Sequence, residues 1–481
     1  MLELIFIIPA LTGILTFFLP RAMGRMVITG LGVLHLGFTG IICFQGLPAL
    51  WPDYFQTTPE GNLVLLVTSF LYLMVAFYTV SYMAETEMHN EPVFSACLLL
   101  FLAAMGMAAV TDHIIVLWIA IEATTLMSAP LIFLHRSKEA LEATWKYVLI
   151  CSVGIALALL GVFFTLMAIK SSDSNTSMTF QNLLKNATGV EPIWLKAGFI
   201  FTLIGYGTKM GLAPMHTWLP DAHSEAPSPV SALLSGALLN CAFLGILKTH
   251  GLLTSAGIQW YSSQLLVWFG LFSILIAAVF MMQQDNYKRL LAYSSIENMG
   301  VIAFGIGIGG LAAYGALLHL IHHALLKSSL FLSSGNMLLG FGSKKIRETG
   351  RMPRYMPRTF TAFMSGFAGI SGFPPFGIFL SEMLIVFGAL QQQAYLQTAV
   401  FLIGLALVFA GAAKAVIRIS FGNFTGELLV PEKWRMVIPI YLLIATSVLL
   451  TIYLPQGIHE AISMAVKYQG VALTMGGYIH G

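Results

Sequence analysis

Apolar stretches of roughly 20 residues, the length a helix needs to cross the hydrocarbon core of a bilayer, succeed one another along most of this 481-residue chain. Fourteen can be marked, near 2–20, 26–46, 62–83, 93–111, 112–134, 146–169, 193–213, 227–249, 265–283, 290–310, 311–337, 359–390, 396–417 and 436–454. Inside lipid only helices and closed barrels satisfy every backbone polar group. The runs are uninterrupted rather than alternating, which favours helices. The expected fold is therefore an all-α polytopic membrane protein of about 14 transmembrane helices. Linkers nearly vanish between the fourth and fifth stretches and between the tenth and eleventh. The longest loop, near 170–192, is short and polar, so no soluble domain is expected.

Charge supports this reading. Only 9% of the residues are charged and 57% are apolar, against roughly 25% charge in an average soluble domain. So few charges cannot coat a water-soluble body, which excludes a soluble enzyme, a nucleic-acid binder and a disordered tail. The four cysteines, Cys43, Cys97, Cys151 and Cys241, lie far apart in apolar surroundings, with no CxxC and no histidine at zinc spacing. Free cysteine in such a setting acts as a small hydrophobe. No metal centre, disulfide framework or cofactor is expected in this chain.

The basic residues predict a topology. The first stretch has no basic residue before it, and Arg21 and Arg25 come after it, so it reads as a retained span and not as a cleaved signal peptide. Loops after odd-numbered spans carry Arg21, Arg25, Arg136, Lys138, Lys146, Lys288, Arg289, Lys344, Lys345, Arg347, Arg351, Arg354, Arg358, Arg418, Lys433 and Arg435. The opposite side carries only Lys170, Lys185, Lys196 and Lys467. The positive-inside rule then puts the first set in the cytoplasm and both termini outside.

A charge in mid-bilayer is costly and is therefore a candidate for function. Glu122 lies about ten residues into its span, roughly 15 Å deep at 1.5 Å per residue. Its plain alternative, a neutral carboxyl held for packing, is weaker because glutamine or serine would pack at lower cost. Lys209 precedes Gly211 and Pro214, which should break the helix and free carbonyls beside the lysine. His319, His322, His323 and Lys327 share one span at spacings that put them roughly on one face, and Ser328, Ser329, Ser333 and Ser334 come next. That polar stripe suits a hydrated proton path; no carboxylate or thiolate is supplied locally for zinc. Glu382 comes after a second Pro/Gly break made by Gly372, Pro374, Pro375 and Gly377. Two interrupted spans, the seventh and twelfth, point to an inverted-repeat transporter whose ion site lies at mid-depth. The repeats would be helices 4–8 (93–250) and 9–13 (265–420), with helices 1–3 in 1–92 and helix 14 with the tail in 436–481. Lys248, beside His250, and Lys414, near Arg418, are open to a snorkelling reading. Glu297 starts its span and is open to a structural one. Glu122 and Lys209 would titrate as a coupled pair, the carboxylate's distance governing how firmly the lysine keeps its proton.

At these residues the chain resembles a known family. GYGTKMGLAPMHTWLPDAHSEAPSPVSALLSG (205–236), DNYKRLLAYSSIENMG (285–300), HHALLKSSLFLSSG (322–335) and GFPPFGIFLSEM (372–383) are similar to the antiporter-like membrane subunits shared by respiratory complex I, multi-subunit Na⁺/H⁺ antiporters and membrane-bound nickel–iron hydrogenases. The LLSGALLN wording and the short length look most like the hydrogenase-4 component F branch. The resemblance implies 14 helices in two inverted repeats of five around a hydrated axis. It implies that Glu122 is the family's glutamate of helix 5 and Lys209 its lysine of helix 7. The histidines and Lys327 would form the helix-11 relay, and Glu382 the exit residue of helix 12. Many members carry a lysine or histidine in mid-helix 8, where this chain has Asn240, with Lys248 two turns later.

The resemblance also implies a function: a subunit that moves H⁺ or Na⁺ across the cell membrane and holds no catalytic centre itself. It would be driven by other membrane subunits and a peripheral redox arm of hydrogenase or dehydrogenase subunits. A complex I pump, a stand-alone Na⁺/H⁺ antiporter subunit and an inert scaffold interrupted at Asn240 are the competing readings.

Overall fold

The computed structural model describes residues 1–86, 90–170 and 177–468. The Lys170 side chain, part of the 170–192 loop and the tail after 468 lie outside the described residues. The helices run in order as α1 (Leu4–Thr16), α2 (Arg21–Gln45), α3 (Pro59–Thr86), α4 (Glu91–Val110), α5 (Ile114–Ile132), α6 (Lys138–Lys170) and α7 (Phe180–Lys185). Then come α8 (Pro192–Met210), α9 (Trp218–Glu225), α10 (Ser228–Leu233), α11 (Leu239–Ser255), α12 (Gln259–Met281), α13 (Tyr287–Ile308) and α14 (Gly310–Phe341). The chain continues through α15 (Met352–Tyr355), α16 (Pro357–Ile370), α17 (Gly377–Gln391), α18 (Tyr395–Phe421), α19 (Trp434–Ile452) and α20 (Gln456–Tyr468). No strand occurs among the described residues, which hold only isolated bridges such as His113 with Thr179.

Each of the fourteen apolar stretches coincides with helix. Eleven helical segments among the described residues are long and apolar enough to cross a membrane, and α1 and α17 are shorter apolar helices. The seventh stretch is α8, and the twelfth is α16 with α17. The vanishing linkers are real: three residues, Thr111–His113, part α4 from α5, and Gly309 alone parts α13 from α14. Four short helices, α7, α9, α15 and α20, lie outside the expected spans. The 170–192 loop contains α7, where Thr179 accepts a hydrogen bond from the Asn182 N–H at 3.4 Å and Phe180 and Leu183 are buried. After the last span, α20 buries Ile462, Ala465 and Val466 and exposes Met464 and Lys467, the one-sided spacing of an amphipathic helix.

Burial explains how an apolar chain tolerates its polar spans. The hydropathic windows of α14 and of the segment Ser228–Ser255 are entirely buried inside the protein. Their histidines, lysines and serines therefore face other helices and not lipid. A π turn, Leu234–Leu238, joins α10 to α11 within that segment.

Small residues set the closest helix contacts, as expected where lipid offers no hydrophobic drive for helix association. On α6 and α8, Gly154 meets Gly205 and Gly161 meets Gly198 in antiparallel register. A Cβ at Gly205 would lie 2.5 Å from the Gly154 carbonyl oxygen. The same device joins α12 to α13, where Gly270 and Gly300 face each other.

The two helix breaks are built alike. Gly211 closes α8 in the left-handed region with φ 85°. Its N–H donates to Thr208 O at 3.2 Å while Leu212 N–H donates to Gly207 O at 2.8 Å, the Schellman pattern. Gly372 closes α16 with φ 72°, its N–H donating to Gly369 O at 3.4 Å and Phe373 N–H to Ala368 O at 3.1 Å. Only glycine adopts this conformation at no steric cost. A cis X–Pro bond comes after each, Ala213–Pro214 and Pro374–Pro375.

Gly205 lies one turn before Lys209 on α8. Gly205→Val should force α6 and α8 apart and lower stability by about 1–3 kcal/mol through overpacking. A thermal-shift measurement on the purified protein in detergent, with Ala as the milder control, checks this.

Candidate functional site

In the first half of the bundle, four elements converge on Lys209. It is fully buried at the end of α8, where the glycine closure fixes its turn. Its Nζ donates to Thr125 Oγ1 at 2.8 Å and to Tyr147 OH at 2.6 Å. The ammonium also lies 4.5 Å from the Tyr147 ring centroid and 6.0 Å from that of Trp218, within cation–π range. Tyr147 OH in turn shares a hydrogen bond of 2.5 Å with Ser128, and Trp218 Nε1–H donates to Thr208 O at 2.8 Å.

Glu122 is half-buried on α5 and does not touch the lysine directly. Ser152 donates to its Oε1 at 2.9 Å and Thr125 to its Oε2 at 3.3 Å. Thr125 therefore stands between them, accepting from Lys209 and donating to Glu122. The expected pair is present, with a hydroxyl interposed that spacing in the sequence could not show.

The middle of the molecule is occupied by the fully buried Ser228–Ser255 segment. Asn240 is buried there, its Nδ2 donating to Gly236 O inside the π turn at 2.8 Å, while its Oδ1 has no partner. Ser235 is hydrogen-bonded to Ser295 of α13 at 2.8 Å, and Ser328 of α14 donates to Ala232 O at 3.1 Å. These contacts join the two halves. Lys248 does not snorkel: its side chain is 1% exposed and ion-paired with Glu60 at 3.7 Å and with Asp112 at 3.4 Å. Carboxylates waiting inside the protein leave a lysine no reason to reach for the surface.

In the second half, Lys327 is fully buried and donates to Leu291 O at 3.0 Å. Glu297 does not start a span but lies ten residues after Tyr287, roughly 15 Å along α13. Asn298 Nδ2 donates to both Glu297 Oε2 and Ser294 O, which turns its Oδ1 toward His319 Nε2 at 3.0 Å. His319 Nδ1 shares a hydrogen bond of 3.0 Å with Ser381 of α17, whose hydroxyl also donates to Ile378 O at 2.8 Å. Glu297 and Glu382 line one cavity together with Ser294 and Ser371. The Glu382 carboxylate reaches back to its helix break, for a Cβ at Gly372 would lie 2.5 Å from its Oε2.

The histidines do not form one stripe. His322 turns to α19, with its Nδ1 hydrogen-bonded to Ser447 at 2.9 Å, and His323 is buried with both ring nitrogens unpartnered. Adjacent residues on a helix point about 100° apart, so His322 and His323 cannot share a face. Lys414 stands apart from the axis: it is exposed and lines a polar cleft with Asp285, Arg347 and Arg418.

Several residues carried no sequence signal. Thr125, Tyr147 and Ser152 read as ordinary span residues, and Glu60 as an acid in a first helical turn. Lys288, counted among loop charges, is buried and donates to Ala226 O at 2.5 Å. Asp221 of α9 holds both Lys146 at 3.1 Å and Arg289 at 2.7 Å, pinning the segment after the first break.

An all-helical bundle with matching breaks, and with lysines and carboxylates buried beside them, defines an antiporter-like integral membrane subunit. Residues 111–408 match the family described as NADH:quinone oxidoreductase/Mrp antiporter, TM, and the chain belongs to that family. It is 36% identical over 386 residues to the hydrogenase-4 component F homolog of Methylacidiphilum infernorum (isolate V4), covering 78% of this chain and 81% of that one. It is 31% identical over 332 residues to hydrogenase-4 component B of Escherichia coli (strain K12), covering 66% of this chain and about half, 48%, of that protein.

Among solved structures, the fold matches a chain of the membrane-bound sulfane sulfur reductase, an archaeal respiratory membrane complex, with a TM-score of 0.85 and 20% identity, over 97% of both chains. It matches a chain of respiratory complex I from Thermus thermophilus with a TM-score of 0.83 and 20% identity, over 98% of this chain and 100% of that one. At such identity these likenesses establish the fold. The chain is a multi-pass membrane protein whose relatives are subunits of multi-subunit membrane complexes.

Thr125→Val, nearly isosteric, should remove the hydroxyl bridge between Lys209 and Glu122 while Thr125→Ser keeps it. Loss of a positioned proton relay is expected to slow coupled translocation about 10²-fold or more in the valine variant alone, measured in proteoliposomes of the assembled complex.

Proposed function

We propose that this chain is the proton-translocating subunit of a membrane-bound nickel–iron hydrogenase or formate hydrogenlyase-type complex. Redox chemistry in a peripheral arm of partner subunits, which would hold all the cofactors, drives it. The Lys209–Thr125–Glu122 arrangement carries the reading. A proton leaves Lys209 Nζ for Thr125 Oγ1 as the threonine's own proton passes to Glu122 Oε2. The exchange needs no helix movement, and a charge arriving near either partner biases it.

The second half offers a comparable set in Lys327, Glu297 and Glu382, with His319 joined to Glu297 through Asn298. The matching breaks support two repeats over 93–250 and 265–420, and helices 1–3 and 14 flank them. Asn240 cannot hold a proton, so passage between the halves runs over the serines and water around it. The distribution of the sixteen basic residues supports placement in the cell membrane with both termini outside. Component F and component B of hydrogenase-4 as relatives favour the hydrogenase reading. A complex I pump and a Na⁺/H⁺ antiporter subunit are its rivals, and the proteins that copurify with a tagged chain separate the three.

Lys209→Ala and Glu122→Gln should each abolish translocation in proteoliposomes while the complex still assembles, and Asn240→Ala should be mild. Normal pumping by the Lys209 or Glu122 variant would refute the mechanism. Acidification that survives without sodium identifies the ion as H⁺.

A further inference from the structure

A second ionisable cluster lies away from Lys209, and the mechanism above does not use it. Glu60 stands in the first turn of α3, Asp112 in the three-residue link between α4 and α5, and Lys248 near the end of α11. Their side chains are 1%, 0% and 1% exposed. Lys248 Nζ donates to Thr111 O at 3.2 Å and to Asp112 Oδ1 at 3.4 Å, and the Phe180 ring of α7 covers it with its centroid 5.0 Å away. The other Asp112 oxygen accepts from Gln181 N–H at 3.2 Å.

Glu60 differs. Both of its carboxylate oxygens are buried without a hydrogen-bond partner, and the Lys248 ammonium faces it at 3.7 Å. One ammonium thus faces two carboxylates. No other lysine or arginine pairs with either acid among the described residues. His113 spends its Nδ1 on the N–H groups of Ile115 and Val116, and His250 is turned to Ser262 at 2.8 Å. The fully ionised cluster would bury one uncompensated negative charge, at a desolvation cost. A single proton removes that cost, and Glu60 has the free lone pairs to take it.

We propose that Glu60, Asp112 and Lys248 form a proton-exchange site at one end of the first half's path, with Glu60 as the group that takes up and releases the proton. This rests on the ion-translocating reading of the chain. Lys248 lies eight residues beyond Asn240 on the same helix, roughly 12 Å along its axis. The unpartnered Asn240 Oδ1 is buried on that same helix. When Glu60 gains its proton, Lys248 is shared by one carboxylate, Asp112. When Glu60 loses it, the ammonium is drawn back between two. Asp112, anchored to α7 through Gln181, positions the lysine.

Infrared difference spectra of the whole complex, taken across a pH titration, test the site directly. A carboxylic-acid band is expected that Glu60→Gln removes and Glu60→Asp shifts; the aspartate variant also serves where the glutamine variant does not assemble. Glu60→Gln cannot take up a proton and should lower protons moved per redox turnover at least severalfold. Absence of the band, a band that answers to sodium and not to pH, or full pumping by Glu60→Gln overturns the site. If Lys209→Ala pumps normally, the Lys209 mechanism fails on its own, and the Glu60 band still decides whether this cluster binds a proton.

Discussion

An ammonium ion shut away from water must be surrounded by oxygens and ring faces, or it costs several kcal/mol. Lys209 imposes that demand on the first half of the molecule. Meeting it brings Thr125 from α5, Tyr147 from α6 and Trp218 from α9 around one atom. Tyr147 then needs Ser128, and Trp218 shares the Thr208 carbonyl with the closing Gly211 N–H. The helix break and the aromatic contacts both serve to house one charge. Because neutral groups do the housing, the lysine is not locked to Glu122 in a direct ion pair.

The two breaks solve one problem twice. In each, a glycine in the left-handed region turns the chain after two closing hydrogen bonds, and a proline comes three residues on. The ionisable groups sit on opposite sides of their breaks: Lys209 precedes Gly211, and Glu382 lies beyond Gly372 and folds back to it. A cation thus ends one helix, where the partial charge of a C-terminus favours it, and an acid lies in the second turn of another.

Much of this was legible from the order of residues. Hydropathy located all fourteen spans because lipid imposes one length on every crossing, and Gly-Pro pairs located both breaks. Glu122, Lys209, Lys327 and Glu382 stood out because charge is rare in such a chain. The sequence could not show which atoms lie between them. Thr125 and Tyr147 are commonplace in apolar helices, and only packing makes them ligands of an ammonium. Lys248 misled for a related reason. Its position near a helix end suggested escape to the surface, and its carboxylates come from residues 188 and 136 positions away. Glu297 misled because its helix begins at Tyr287, earlier than hydropathy alone indicates. The histidine stripe overstated unity, because His319 bonds to α13 and α17, His322 to α19, and His323 leaves both ring nitrogens unpartnered.

Gly309, the single residue between α13 and α14, has φ 82°, and Gly310 after it has φ 54°. With no slack in that link, neither helix can slide past the other like a piston. The axial register between Glu297 on one and His319 and Lys327 on the other is fixed by the covalent chain. Any change of distance between those groups must come from side chains that turn, set in two walls cast in one piece.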